Sequence, residues 1–211
     1  MKTGIIYTII CLCTITVQAQ TKIEKNFVCS GQEEIVLDIQ IADSINIQTW
    51  NKNEVYIEAS VNINNNKDND AYITSFENKN NKITLSASFR KDYFKGKNNC
   101  CTETDIYWQV YIPDNTAFSA ESINANISVK GKTEAMKIKS ISGFIDLAVS
   151  EKQSAELEFS TITGTIYSNH SISSSDIKTG AHSGIDGRLN KGGPLIRLET
   201  ISGDIFFRKG I

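Results

Sequence analysis

Apolar and polar residues alternate with a period of two along most of the chain, and this pattern predicts β-strands. Clear examples are residues 35–41, 55–61 and 105–113, where branched and aromatic side chains share one face. Short polar runs such as residues 51–54 separate these segments, as turns do. No window has the period of an amphipathic helix. The pattern therefore predicts an all-β fold.

From about residue 116 a short motif recurs, with the form Ser/Thr-Ile-Ser/Thr-Gly-x-Ile. It is complete around Gly143, Gly164 and Gly203, lacks the glycine around Ala125, and is degenerate around Gly184. The copies are spaced 18 to 21 residues apart. A near-constant period of about twenty residues is typical of stacked coils. We therefore expect a β-solenoid (β-helix-like) of stacked short strands, with the N-terminal strands continuing the same stack.

Four columns are apolar in nearly every copy, at seven, five and two positions before the glycine and two positions after it. The column two before the glycine contains Ile123, Ile141, Ile162, His182 and Ile201. The columns five and two positions before the glycine are three residues apart, an odd number, so a bend is needed for both side chains to point inward. A glycine beside the bend allows a positive φ or a close backbone approach. The pattern predicts that these isoleucines are core residues.

Residues 1–19 have the layout of a signal peptide. Lys2 precedes an apolar run at residues 5–17, and Val17 and Ala19 supply small residues before a cleavage site. We expect cleavage after Ala19 and an exported chain in the periplasm, on the outer membrane surface or outside the cell, with no transmembrane segment left. The rest divides into an N-terminal β-strand region (20–112) and the repeats (113–211), expected to form one continuous domain.

Composition changes this picture in two respects. The chain has 22 basic and 24 acidic residues and a net charge of −2, and the absence of a basic stripe argues against nucleic acid as a partner. After the leader is removed, Cys29, Cys100 and Cys101 remain. In an oxidising compartment we expect one disulfide, between Cys29 and either Cys100 or Cys101, with a strained Cys100–Cys101 bridge as the alternative.

Candidate catalytic chemistry is sparse. Asp146, Asp186 and Asp204 fall at different positions of their repeats, so no pair of carboxylates is expected to converge on a glycosidic bond. No nucleophile–histidine arrangement or familiar metal-ligand spacing occurs, and His170 is interpreted as a solvated loop residue. We predict no enzyme activity, no catalytic residue, no metal and no cofactor. A carbohydrate-active enzyme on a β-helix scaffold stays an alternative.

Three residues are candidates for a binding surface: Tyr107, Tyr111 and His182. The two tyrosines alternate with the apolar face of the 105–112 strand, and aromatic rings stack well on ligands. His182 interrupts an otherwise aliphatic column.

The segment Val110-Tyr111-Ile112-Pro113, followed by the glycine motifs, resembles a bacterial family of exported β-strand-repeat proteins. These are the putative adhesins, related to the auto-transporter adhesin head-like GIN domain. The resemblance covers residues 105–211 and, more loosely, 35–61. It implies a non-enzymatic binding or surface-structural role at the cell envelope, with an envelope protein or glycan as partner. A self-assembling structural solenoid, whose copies associate through open edges, is the other alternative.

Overall fold

The computed structural model describes residues 20–95, 102–114, 116–178 and 183–210, without the side chains of 174–178. The predicted leader, Cys100, Cys101 and His182 lie outside these ranges. The described residues contain strands, one 3-10 turn (Asn69–Ala71) and no α-helix, which confirms the all-β prediction. In the same residues no helix is long and apolar enough to span a bilayer.

The strands are β1 (Thr21–Val28), β2 (Glu34–Ile39), β3 (Ile41–Trp50), β4 (Glu54–Ile63), β5 (Tyr72–Lys79), β6 (Lys82–Phe89), β7 (Thr104–Pro113), β8 (Phe118–Lys130), β9 (Met136–Ser142), β10 (Ile145–Val149), β11 (Ala155–Thr161), β12 (Ile166–Ser168), β13 (Ile172–Lys178), β14 (Ser183–Leu189), β15 (Leu195–Ser202) and β16 (Ile205–Lys209).

The long strand β8 belongs to two branches of the sheet. Its first half pairs with β2 and β9, and its second half pairs with β3 and β10. The first branch has the order β5-β6-β2-β8-β9-β15-β11-β14-β13, and the second has the order β1-β4-β7-β3-β8-β10-β16-β12. Along β8 the buried positions change from even to odd numbers between Ser122 and Ala125. The strand thus changes its inward face where it passes from one branch to the other.

The two branches pack against each other around one core. At one end, Phe159 of β11 meets Phe207 of β16 edge to face, with ring centroids 5.2 Å apart. At the other end, the Trp108 indole N–H of β7 donates to the Tyr72 hydroxyl of β5 at 3.3 Å. Between these ends, alternate residues of both branches are buried in a continuous apolar cluster. Burial of these branched and aromatic side chains is the main stabilising contribution, about 1.5–3 kcal/mol for each fully buried one.

The repeat copies pair in parallel, but not in chain order. The isoleucines two positions after the glycine are successive partners across the second branch, in the order Ile127, Ile145, Ile205 and Ile166. The fifth copy therefore lies between the second and the third. The fourth copy does not join the parallel stack, because β13 and β14 form an antiparallel hairpin on β11. This differs from the expected succession of coils.

The glycines of three copies allow neighbouring backbones to touch. A Cβ on Gly143 would collide with the carbonyl oxygen of Ala125, one on Gly203 with that of Gly143, and one on Gly164 with that of Gly203. Gly143 also has a φ of +112°, a value that residues with a side chain rarely adopt. Ala125 is the first member of this row of contacts, so there is no glycine of an earlier copy against which its side chain would have to fit. Gly184 lies outside the column, opposite Ser160 in the antiparallel pair of β11 and β14.

The isoleucines two positions before the glycine are not core residues, and that prediction was wrong. Ile123, Ile141, Ile162 and Ile201 are 46%, 40%, 41% and 41% exposed. The hydroxyl residues one position earlier are buried instead: Ser122, Ser140, Thr161 and Thr200. Their hydroxyls donate to backbone carbonyls at the corner, as Thr200 does to Gly203 at 2.7 Å. These bonds offset the cost of burying a polar group at the corner.

Candidate functional site

The outward faces of the two branches differ in chemistry. The first branch presents charges of both signs that pair across strands. Arg197 Nε lies 2.6 Å from the Glu158 carboxylate and 3.9 Å from that of Glu199, and Lys137 lies 3.7 Å from Glu121. The second branch also has ion pairs, and in addition it presents aromatic, amide and hydroxyl side chains. The outer face of the second branch is therefore the more distinctive surface.

One aromatic group, here called the β7 cluster, consists of Trp50, Tyr56 and Tyr111. Tyr111 stacks on Trp50 with a centroid distance of 4.8 Å, and its ring is tilted by 43° to that of Tyr56 at 6.0 Å. Lys52 lies over the indole at 4.4 Å, and the indole N–H donates to the Glu54 carbonyl at 2.8 Å. These contacts hold the rings in place, so little conformational entropy is left to lose when a ligand binds.

Tyr107 lies on the same face as the β7 cluster. It is 47% exposed and comes four residues before Tyr111 on β7, so both predicted tyrosines point outward. The third predicted residue, His182, lies outside the described residues. Trp50 and Tyr56 were not among the predicted residues, although both alternate with the buried positions in the same way as the polar residues of their strands. That alternation was the signal that could have identified them.

A second aromatic group, the β16 cluster, consists of Phe144, Tyr167 and Phe206. Tyr167 stacks on Phe206 at 5.2 Å with ring planes 10° apart, and Phe144 meets Phe206 edge to face at 6.0 Å. Tyr167 is 49% exposed. Phe206 points outward because its neighbours Ile205 and Phe207 fill the core.

Polar side chains connect the two clusters. In register across the sheet, Gln109 is followed by Asn46, Ser128, Asp146 and Phe206. β7 and β16 are four strand spacings apart, about 19 Å. Asp146 is engaged by Arg208, whose Nε lies 2.7 Å from Oδ1. The surface thus consists of this row of polar side chains, here called the polar floor, with an aromatic cluster on each side.

The β1 side of this surface is electrostatically neutralised. Lys22 lies 2.6 Å from Glu24 and 3.2 Å from Glu58, and these hydrogen bonds raise the pKa of the Lys22 ammonium above its ordinary value. Desolvation, followed by the charges of Glu24 and Glu58, raises the pKa of Tyr56. Tyr56 therefore presents a neutral hydroxyl next to a paired lysine.

The candidate acids are not brought together. Asp146 lies in β10 of the second branch, Asp186 lies in β14 of the first, and Asp204 accepts a hydrogen bond from the Thr165 amide at 2.8 Å in the turn before β16. His170 is buried and stacks on Phe207 at 4.5 Å, so its interpretation as a solvated loop residue was wrong. Within the described ranges no three His, Cys, Asp or Glu side chains are grouped to hold a metal ion.

Cys29 is a buried thiol at the end of β1, and in the described residues it is free. Burial, and next the nearby Glu33, raises the pKa of this thiol. The Glu33 carboxylate accepts hydrogen bonds from the amides of Ser30, Gly31 and Gln32 at 2.9–3.1 Å. These bonds, that of Ser30 first, lower the pKa of Glu33 to about 2. Both predicted disulfide partners lie outside the described residues, so the disulfide stays a prediction.

No family model and no curated protein matches the chain. A putative cell adhesion protein from Clostridium sporogenes ATCC 15579 has a similar structure, with a TM-score of 0.56 at 10% identity, covering 90% of this chain and 100% of that one. Putative adhesins from Parabacteroides distasonis ATCC 8503 and Parabacteroides merdae ATCC 43184 give TM-scores of 0.33 and 0.29 at 18% and 14% identity. Those alignments cover 70% of this chain and 57% and 60% of the respective proteins. At these identities the likeness concerns the fold alone.

Proposed function

We propose that this chain is an exported, non-enzymatic, adhesin-like protein of the cell envelope that binds a glycan on the outer face of its second branch. The observation that carries the proposal is the pair of aromatic clusters around Tyr111 and Phe206, separated by a polar floor. The fold shared with a protein named for cell adhesion agrees with a binding role.

The chemistry of the surface suits a sugar chain. Pyranose rings have C–H faces that aromatic rings can cover, and hydroxyl groups that amides such as Asn46 and Gln109 can bond. Tyrosine and tryptophan provide rigid contact area at low entropic cost. A face about 19 Å across suits several linked residues better than one small molecule.

The scaffold is part of the proposal. Copies one, two, five and three, paired through Ile127, Ile145, Ile205 and Ile166, would form a short solenoid related to the head-like GIN domain. Its role would be to hold the two aromatic clusters at a fixed separation.

The test uses the mature chain, residues 20–211, on a panel of immobilised polysaccharides. We expect Trp50→Ala combined with Tyr111→Ala to weaken binding about tenfold, because each stacked ring contributes about 0.5–1.5 kcal/mol. Phe94→Ala, which removes an exposed ring outside this face, is the control and should bind like the wild type. Equal binding by all three proteins, or binding to no polysaccharide, would overturn the proposal.

A second candidate function, self-association, is favoured by the row of exposed isoleucines at the corner. Ile123, Ile141, Ile201 and Ile162 belong to copies that are neighbours in the stack, so together they form one apolar strip. Contiguous exposed apolar surface marks contact sites. Under this hypothesis Ile141→Ser with Ile201→Ser converts an oligomer to a monomer in sedimentation experiments. A wild-type chain that is monomeric at high concentration argues against it.

A further inference from the structure

A groove lies at one end of the second branch, where four parallel strands finish together. β3, β8, β10 and β16 run in the same direction, so their carboxyl ends meet at this edge. The groove has a volume of about 440 Å³. Its lining includes four cationic side chains: Lys130, Lys132, Arg208 and Lys209.

The positive charge of the groove is only partly compensated. Arg208 is bonded to Asp146, and Lys209 lies 2.5 Å from Glu151. Among the described residues Lys130 and Lys132 make no ion pair. The whole chain has slightly more acidic than basic residues, so this concentration of cations does not follow from the overall composition. Two lysines are therefore available for an anionic ligand.

The backbone conformation places Lys130 and Lys132 on the same side of the groove. Gly131 lies between them with a φ of +116°, and a Cβ at this position would collide with the Thr49 hydroxyl. The glycine thus permits a tight turn against β3. In that turn Lys130 and Lys132 stand beside the end of the neighbouring strand.

The groove is continuous with the aromatic surface. Tyr111 is the register partner of Gln48, and Gln48 is the partner of Lys130. Two strand spacings, about 10 Å, separate the β7 cluster from the first lysine. One extended ligand can therefore stack on Tyr111 and present a charged substituent to Lys130 and Lys132.

We infer that the glycan bound by this chain is anionic, with sulfate or carboxylate groups that occupy the lysine groove. This inference rests on the proposed function and specifies its ligand class. Ammonium groups attract such anions without demanding a fixed geometry, which suits a polymer with repeated charges. Exposed charge pairs weaken with ionic strength, so binding should fall as salt rises.

The experiment compares chondroitin sulfate with the same polymer after chemical desulfation and reduction of its carboxyl groups, and polygalacturonate with its methyl ester. The wild-type chain should bind the charged member of at least one pair at least tenfold more tightly. Lys130→Gln with Lys132→Gln should remove this preference, and binding of the charged polymer should weaken between about 0.05 and 0.5 M salt. Lys137→Gln with Lys139→Gln, on the first branch, makes the same charge change elsewhere and should have no effect.

Several outcomes would overturn the inference. Equal affinity for the charged and uncharged members of both pairs would contradict it, and so would an unchanged preference in the Lys130/Lys132 variant. Binding to anionic phosphatidylglycerol vesicles and to no charged polysaccharide would assign the groove to membranes. If the Trp50/Tyr111 variant still loses glycan binding in these cases, the proposed function stands and only the ligand class is wrong. If no polysaccharide binds, both proposals fail.

Discussion

Gly203 packs its backbone directly on the carbonyl oxygen of Gly143, although the whole third repeat and a β-hairpin lie between them in the chain. The contact leaves no room for a side chain on Gly203. It also continues through Gly164, whose missing Cβ faces the Gly203 carbonyl. The glycines therefore set the spacing of three strand pairs at the corner.

The first prediction concerns this contact. Gly203→Ala should lower the free energy of unfolding by about 1–3 kcal/mol, because a methyl group would force two backbones apart. Urea denaturation followed by tryptophan fluorescence measures the change. Thr165→Ala, an exposed substitution in the adjacent turn, is the control and should change stability by less than about 0.5 kcal/mol. Equal stability of both variants would contradict the close packing.

The second prediction concerns the buried hydroxyls of the corner. Thr200→Val keeps the shape of the side chain but removes the donor to the Gly203 carbonyl and a 2.7 Å bond with the Thr161 hydroxyl. We expect a loss of about 1–3 kcal/mol, because two buried hydrogen bonds that contribute about 0.5–1.5 kcal/mol each are removed. Thr163→Val removes an exposed hydroxyl that water can replace, so its effect should be clearly smaller. Calorimetric unfolding would distinguish the two.

The third prediction concerns acid stability. The pKa of Glu33 is about 2 in the folded chain and ordinarily 4.5, so the folded state favours the charged form. This contribution is fully present above about pH 4.5 and is lost as the pH falls through about 2. Glu33→Gln should therefore reduce the loss of melting temperature across this window. Exposed Glu103→Gln is the control, and a Glu33 variant with the wild-type pH profile would contradict the prediction.

The fourth prediction concerns Cys29. In the chain exported to an oxidising compartment we expect it to be linked to Cys100 or Cys101. Peptide mapping by mass spectrometry without reduction identifies the linked fragments. Because the Cys29 side chain is buried, its thiol in the reduced chain should react with alkylating agents only after unfolding. Three free thiols in the exported protein would contradict the disulfide, and rapid alkylation of the folded chain would contradict the burial.

Local alternation was sufficient to predict the strands and the outward position of Tyr107 and Tyr111. The prediction of a buried Ile141 was wrong. Aligning the copies on the glycine placed a bend before this isoleucine, whereas Ser140 is buried and Ile141 points outward. The reason is a hydrogen bond from the Ser140 hydroxyl to the Ser142 carbonyl, which a period of apolar residues does not report. A buried hydroxyl with such a backbone partner can thus take the inward position that an apolar pattern assigns to an isoleucine.

The order of the copies was also beyond local reasoning. The complete copies around Gly143, Gly164 and Gly203 offer the same isoleucine and glycine columns, so these columns do not indicate which copies are neighbours. The lysine groove could not be predicted locally either, because Lys130 and Arg208 come close only through the pairing of β8 and β16 with β10. Long-range register creates this site.

The positions of β15 and β16 in the sheet affect when the fold can be completed during the proposed export. These strands are synthesised after β11 and β12, yet they insert between them and the second copy. Until they emerge, β9 and β11 lack the neighbour that joins them, and the two halves of the stack cannot close. Folding that depends on such distant pairings is slow. Under the proposed export, the nascent chain would therefore stay open while it crosses the membrane, and the stack would close only after translocation.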